Sequence, residues 1–126
     1  MKLDLKMLLL KLIANVVTVE NISNKITLGG AWTNLGKTAY RVGKVCFFYM
    51  DVYAGTIVGG TQYTVATIAS GYRPTFTVCH TAHTTNSSYV AQGVVNAFVW
   101  TSGDITIRAS NSNGNYVFLS GWWILP

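Results

Sequence analysis

The chain has 126 residues, half of them hydrophobic and only 10% charged, against about 25% charged in an average soluble domain. Thr, Ser and Asn fill 32 positions and supply the missing polarity, which excludes a disordered chain and leaves one domain with a real core. The formal charge of +5 is spread thinly, only Lys37, Arg41 and Lys44 lying close together, which argues against the clustered cations of a nucleic-acid surface.

Residues 1–20 read as a helix. Leu5, Leu9, Leu12, Val16 and Val19 recur at spacings of 4, 3, 4 and 3, the a/d seam of a coiled coil. Leu3, Met7, Leu8, Leu10 and Ile13 extend the apolar surface beyond that stripe. Such a helix must pack on its own domain or on copies of itself, and a self-associating neck built on those five seam residues is the expectation. Asp4, Lys6 and Lys11 interrupt any apolar signal-peptide region, and the segment is too short and too charged to span a bilayer. Neither a leader nor membrane insertion is expected.

From Asn21 onward, short apolar or Thr-rich runs alternate with Gly, Asn and Ser. The predicted strands are Ile26–Leu28, Ala31–Leu35, Lys44–Val52, Gln62–Ile68, Phe76–Thr81, Val90–Trp100, Ile105–Ala109 and Tyr116–Leu125. Ser102-Gly103-Asp104 and Asn113-Gly114-Asn115 are hairpin signals, because Gly and Asn accept the positive φ of tight turns. Residues 21–126 therefore read as a mainly β head, an antiparallel β-sandwich or jelly roll. Val45–Val52, Val94–Trp100 and Tyr116–Leu125 are apolar on both faces. A two-sheet monomer wets one face of each sheet, so these strands call for another subunit. Trp32, Trp122 and Trp123 read as core or subunit contacts, and Cys46 and Cys79 as buried free thiols.

The inventory for catalysis is poor. Of four carboxylates, only Asp51 and Asp104 lie outside the helical segment. They could form the acid/base pair of a glycoside hydrolase, but Asp104 sits in a turn signal and Asp51 ends an apolar strand, so no enzyme is expected. In Cys79-His80-Thr81-Ala82-His83, a strand would send His80 and His83 to opposite faces. Only copies of one His around a symmetry axis would then assemble a zinc site, and no metal or other cofactor is expected. Gly59-Gly60-Thr61 lacks the Lys of a phosphate loop. Gly71-Tyr72-Arg73-Pro74 reads as a rigid corner, since Pro74 sets its own φ and extends Arg73. The stretch His80–Tyr89 is polar, loop-like and edged by an aromatic ring, which suits saccharide recognition through His83, Asn86 and Tyr89.

With these residues in hand, the chain from Leu28 onward resembles the C-terminal receptor-binding head domain of phage tail-fibre and baseplate proteins. The resemblance is carried by Ala31-Trp32, Tyr40-Arg41-Val42-Gly43-Lys44-Val45, Gly60-Thr61, Val65-Ala66-Thr67-Ile68-Ala69-Ser70-Gly71-Tyr72-Arg73-Pro74, Gly103-Asp104-Ile105-Thr106-Ile107 and Gly121-Trp122-Trp123-Ile124. Such proteins often carry a proline just before the Gly-Tyr-Arg-Pro corner, where this chain has Ala69-Ser70. The resemblance implies a homotrimeric β-sandwich head behind a short coiled-coil neck, adsorbing to bacterial cell-surface saccharide without cofactor or catalysis. It also implies contacts with other tail or baseplate proteins, assembly in the host cytoplasm and a final place in the virion. The alternatives are a structural tail or baseplate component without a ligand, and a secreted carbohydrate-binding module.

Overall fold

The computed structural model describes residues 4–16, 18–110 and 115–126. A helix α1 (Leu5–Val16) precedes nine strands: β1 (Val19–Asn21), β2 (Ile26–Leu28), β3 (Thr33–Val42), β4 (Val45–Tyr53), β5 (Gln62–Ile68), β6 (Val78–Thr85), β7 (Ala91–Val99), β8 (Asp104–Ala109) and β9 (Tyr116–Ile124). A single 3-10 turn, Ser23–Lys25, separates β1 from β2. All neighbouring strands are antiparallel, in the order β1-β3-β4-β9-β6-β7-β8-β5-β2.

That order dictates the shape. The strands β1 and β2 lie at opposite ends of the sheet, yet only residues 22–25 connect them. Four residues reach at most about 14 Å, so the sheet curls until its two ends face each other. Three contacts hold the closure. The Ile22 amide donates to the Ala39 carbonyl at 2.9 Å, the Ala39 amide donates to Ser23 Oγ at 2.9 Å, and Lys37 Nζ donates to the Ile26 carbonyl. Inward side chains from both halves, among them Met50, Val65, Val95, Ile105, Ile107, Leu119 and Trp123, form one core.

The two sheets expected of a sandwich are thus one hydrogen-bonded sheet, joined through a short seam. Strands β6 and β9 pair only over Thr85↔Tyr116, Thr84↔Val117 and His83↔Phe118. Beyond that point the His80 side chain fills the gap between them. Its Nε2 lies 2.9 Å from the Trp122 carbonyl and 3.1 Å from the Trp122 amide, standing in for the missing ladder. A Cβ at Gly121 would come within 2.4 Å of His80 Cδ2, so only glycine leaves room for the ring.

Other expectations shift at particular residues. The helix stops at Val16, and Val19 pairs with Val42 in β1, so the predicted seam and the helical segment both end short of residue 20. Leu5 and Leu9 are exposed on α1, while the side chains of Leu12 and Val16 lie outside the described residues, as does the turn at Asn113-Gly114. Cys46 is buried, and loss of hydration pushes its thiol up to about 11, whereas Cys79 is exposed rather than buried. The Gly71–Pro74 corner clamps strand ends. The Trp123 indole donates to the Tyr72 carbonyl at 2.7 Å, the Tyr72 hydroxyl to Glu20 at 2.8 Å, and Arg73 Nε to the Ile68 carbonyl at 3.1 Å. No helix among the described residues is long and apolar enough to cross a membrane.

Candidate functional site

Strand alternation divides β4 and β9 between two surfaces. Cys46, Phe48, Met50 and Val52 point into the core, as do Val117, Leu119 and Trp123. The other set faces outward, and residues directly opposite in register share that face. One outward row runs Val19, Val42, Val45, Ile124 and the next Tyr40, Phe47, Trp122. Tyr40, Phe47 and Trp122 are 42, 48 and 41% exposed. A shallow apolar depression of about 200 Å³ lies among Thr38, Tyr40, Phe47 and Tyr49.

Farther along the same strands the face becomes an aromatic ledge. Tyr53 and Tyr116 are register partners with ring centroids 5.0 Å apart. Tyr89 arrives from the β6–β7 turn and stands 5.8 Å from Phe118 and 6.4 Å from Tyr116, at tilted or edge-on angles. Asn86 builds that turn. Its Oδ1 accepts from the Ser88 amide at 2.9 Å and the Val90 amide at 3.1 Å, and its carbonyl accepts from the Tyr89 amide at 3.0 Å. Tyr89 takes φ +61°, a left-handed conformation unfavourable for a bulky residue, and its ring is 65% exposed.

The three saccharide candidates lie at the end of β6 and in its turn to β7, in a setting different from the expected one. The stretch from His80 is not a loop: β6 continues to Thr85, and only the turn from Asn86 to Val90 is irregular. His83 stands on the outward face, opposite Phe118 on one side and Val94 on the other. Asn86 shapes the turn with its carboxamide oxygen, and Tyr89 contributes the ring. Tyr49, Tyr53, Tyr116 and Phe118 complete the ledge and were absent from the sequence-derived candidates. Their sequence signal was the apolar character of both strand faces, which by itself suggests a subunit contact.

Asp51 is the one carboxylate on this face. Its register partners are Gly36 and Phe118, and Tyr49 and Tyr53 flank it along β4. One carboxylate oxygen is out of water without a hydrogen-bond partner, and burial raises its pKa above the ordinary range. Burial also raises the Tyr49 pKa, reinforced by Asp51 and Tyr89 nearby. Asp104 lies four strands away in the sheet order, where Ser102 Oγ donates to it at 3.3 Å, so the two carboxylates do not converge. His80 turns toward Trp122 while His83 faces outward. Among the described residues no three His, Cys, Asp or Glu side chains are grouped to hold a metal ion. Trp32 and Trp123 are core residues, unlike Trp122.

No protein-family model matches the sequence, and no curated protein matches it. Among solved structures, the receptor binding protein (gp15) of Listeria phage PSA is similar in fold. The TM-score is 0.67 at 14% sequence identity, over 99% of this chain and 82% of that one.

Proposed function

We propose that this chain is the host-recognition head of a phage tail, a homotrimer that adsorbs to bacterial cell-surface saccharide without catalysis and resides in the virion beside other tail or baseplate proteins. The observation that carries the reading is the likeness of fold along nearly the whole chain to a phage receptor binding protein. Two features of this chain support it. Leu5, Met7, Leu8, Leu9 and Leu10 expose apolar side chains beyond a single stripe of α1, and the head presents apolar outward rows from Val19 to Trp122. Copies meeting along both would cover them. The ledge around Tyr89 offers ring faces for sugars beside the hydrogen-bonding groups of His83 and Asp51. Three weak sites per trimer gain strength by engaging together.

The test combines solution mass with staining of Gram-positive cells by the fluorescently labelled chain. A trimer that stains cells, with staining reduced about tenfold or more in Tyr89→Ala at unchanged mass, is the expected result. A trimer that stains no host would assign a structural tail part instead. A monomer would overturn the trimeric reading.

A further inference from the structure

Asp51 occupies an unusual position for a carboxylate. On the outward face its four nearest positions are Tyr49 and Tyr53 along its own strand, Phe118 across on β9, and Gly36 across on β3. Three of these are aromatic rings, and the fourth has no side chain. A Cβ placed on Gly36 would lie 3.9 Å from both Asp51 Cβ and Tyr49 Cε1, an ordinary contact, so glycine leaves beside Asp51 the room of about one methyl group. Beyond Phe118 stands the Tyr89 ring, 5.8 Å from it.

Among the described residues nothing neutralises this group. The ion pair found among the described residues joins Arg41 to Glu20, on the other side of β3, and Asp51 Oδ1 has no donor. An acceptor left without a donor weakens the fold that holds it, and a ligand that supplies the donor removes that cost. Aromatic faces around an anionic centre are the chemistry that receives an organic cation, because the ring quadrupoles and the carboxylate attract the same charge. A hard metal ion fits poorly, since it wants six or more oxygen ligands and among the described residues no three His, Cys, Asp or Glu side chains are grouped.

We propose that Asp51, flanked by Tyr49, Tyr53 and Phe118 with the side-chain-free Gly36 as its fourth neighbour, is a subsite for an ammonium group. The inference rests on the host-recognition reading for the origin of its ligand, an amino sugar or an alkylammonium substituent of a surface polymer. The carboxylate would pair with the cation, and the rings would cover its apolar flanks.

The test uses the full chain and three small probes followed by aromatic-region NMR: glucosamine at mildly acidic pH, where its amine is charged, choline, and N-acetylglucosamine. Expected is saturable perturbation of the ledge tyrosines by glucosamine or choline, with N-acetylglucosamine about tenfold weaker. Glucosamine alone would indicate the sugar as source, and choline alone the alkylammonium. Asp51→Asn, checked for fold by circular dichroism, should abolish the preference, and Phe118→Leu, which keeps the carboxylate, should weaken it. Equal binding of the neutral sugar, an unchanged preference in Asp51→Asn, or no binding by either cation would overturn the proposal. Cell staining that persists without cation binding would leave the host-recognition reading standing. Asp51-dependent cation binding without staining would overturn that reading alone.

Discussion

The curled sheet has two outer faces of opposite character over a shared core. On the half built from β3, β4 and β9, register partners align Tyr40, Phe47 and Trp122 in one row. On the half built from β6, β7, β8 and β5, the corresponding row is Thr81, Asn96, Arg108 and Gln62, all exposed and polar. The apolar outward residues of β7 are partly covered locally: Phe98 stacks on Trp100 at 5.2 Å, whose indole donates to Thr106 Oγ1 at 2.7 Å. Two halves with equally apolar interiors thus differ in what their exteriors ask for. The second is finished by water, whereas the first is left apolar at the surface, as a contact face is.

The boundary between the halves is the place to break this contrast most severely. Gly121→Ala would drive a methyl group into the His80 ring and undo its bonds to Trp122, for a loss of about 3 kcal/mol in urea unfolding. Next in size, Phe47→Lys should weaken self-association at least tenfold by dilution light scattering, while Asn96→Lys on the polar half should leave the mass unchanged. Equal effects of the two lysines would erase the distinction between the faces. A cut before Thr18 removes α1 but keeps β1 paired with β3, and so separates the contribution of the helix from that of the face.

Smaller effects sharpen the picture. Thr84 is fully buried at the seam with its hydroxyl unpartnered, so Thr84→Val should stabilise the fold by about 1 kcal/mol in the same assay. For Asp51, burial raises the pKa, and the folded state therefore holds the proton more tightly than the unfolded one. Its contribution is full at low pH and is lost as pH rises through the raised value. Asp51→Asn should accordingly stabilise the chain at neutral pH, by less than about 1 kcal/mol for so open a site, and flatten the decline just above the ordinary carboxylate range. A residue that makes its own fold less stable while standing among exposed aromatic rings is in the position expected of a functional group.

Much of the strand pattern is legible in the sequence because alternation and turn residues are local signals. Ile26–Leu28 and Gln62–Ile68 match the observed strands residue for residue, and the turn at Gly103, with φ +94°, stands where Ser102-Gly103-Asp104 predicts it. The misses have local causes too. Gly36 and Lys37 break the apolar pattern just after a bulge in β3, hiding the rest of that strand. Thr84 and Thr85 read as loop residues, although β-branched Thr suits a strand. Val19 continues the heptad spacing but belongs to β1. The ledge was legible only in fragments. Its assembly depends on β6 pairing with β9, strands that begin 38 residues apart, and no local pattern announces which distant ring Tyr89 will meet.

The two outermost strands, β1 and β2, are three residues long each, and the curl turns them toward one another. A long bare strand edge is a template on which other chains can add strands and grow fibres. Here the outermost strands offer few backbone groups and Lys37 occupies the Ile26 carbonyl, although among the described residues β1 covers β3 only at residues 40–42 and leaves residues 33–38 as bare edge on that side. The shorter the bare edge, the more of any contact between copies is left to side chains, which can be specific and finite in number.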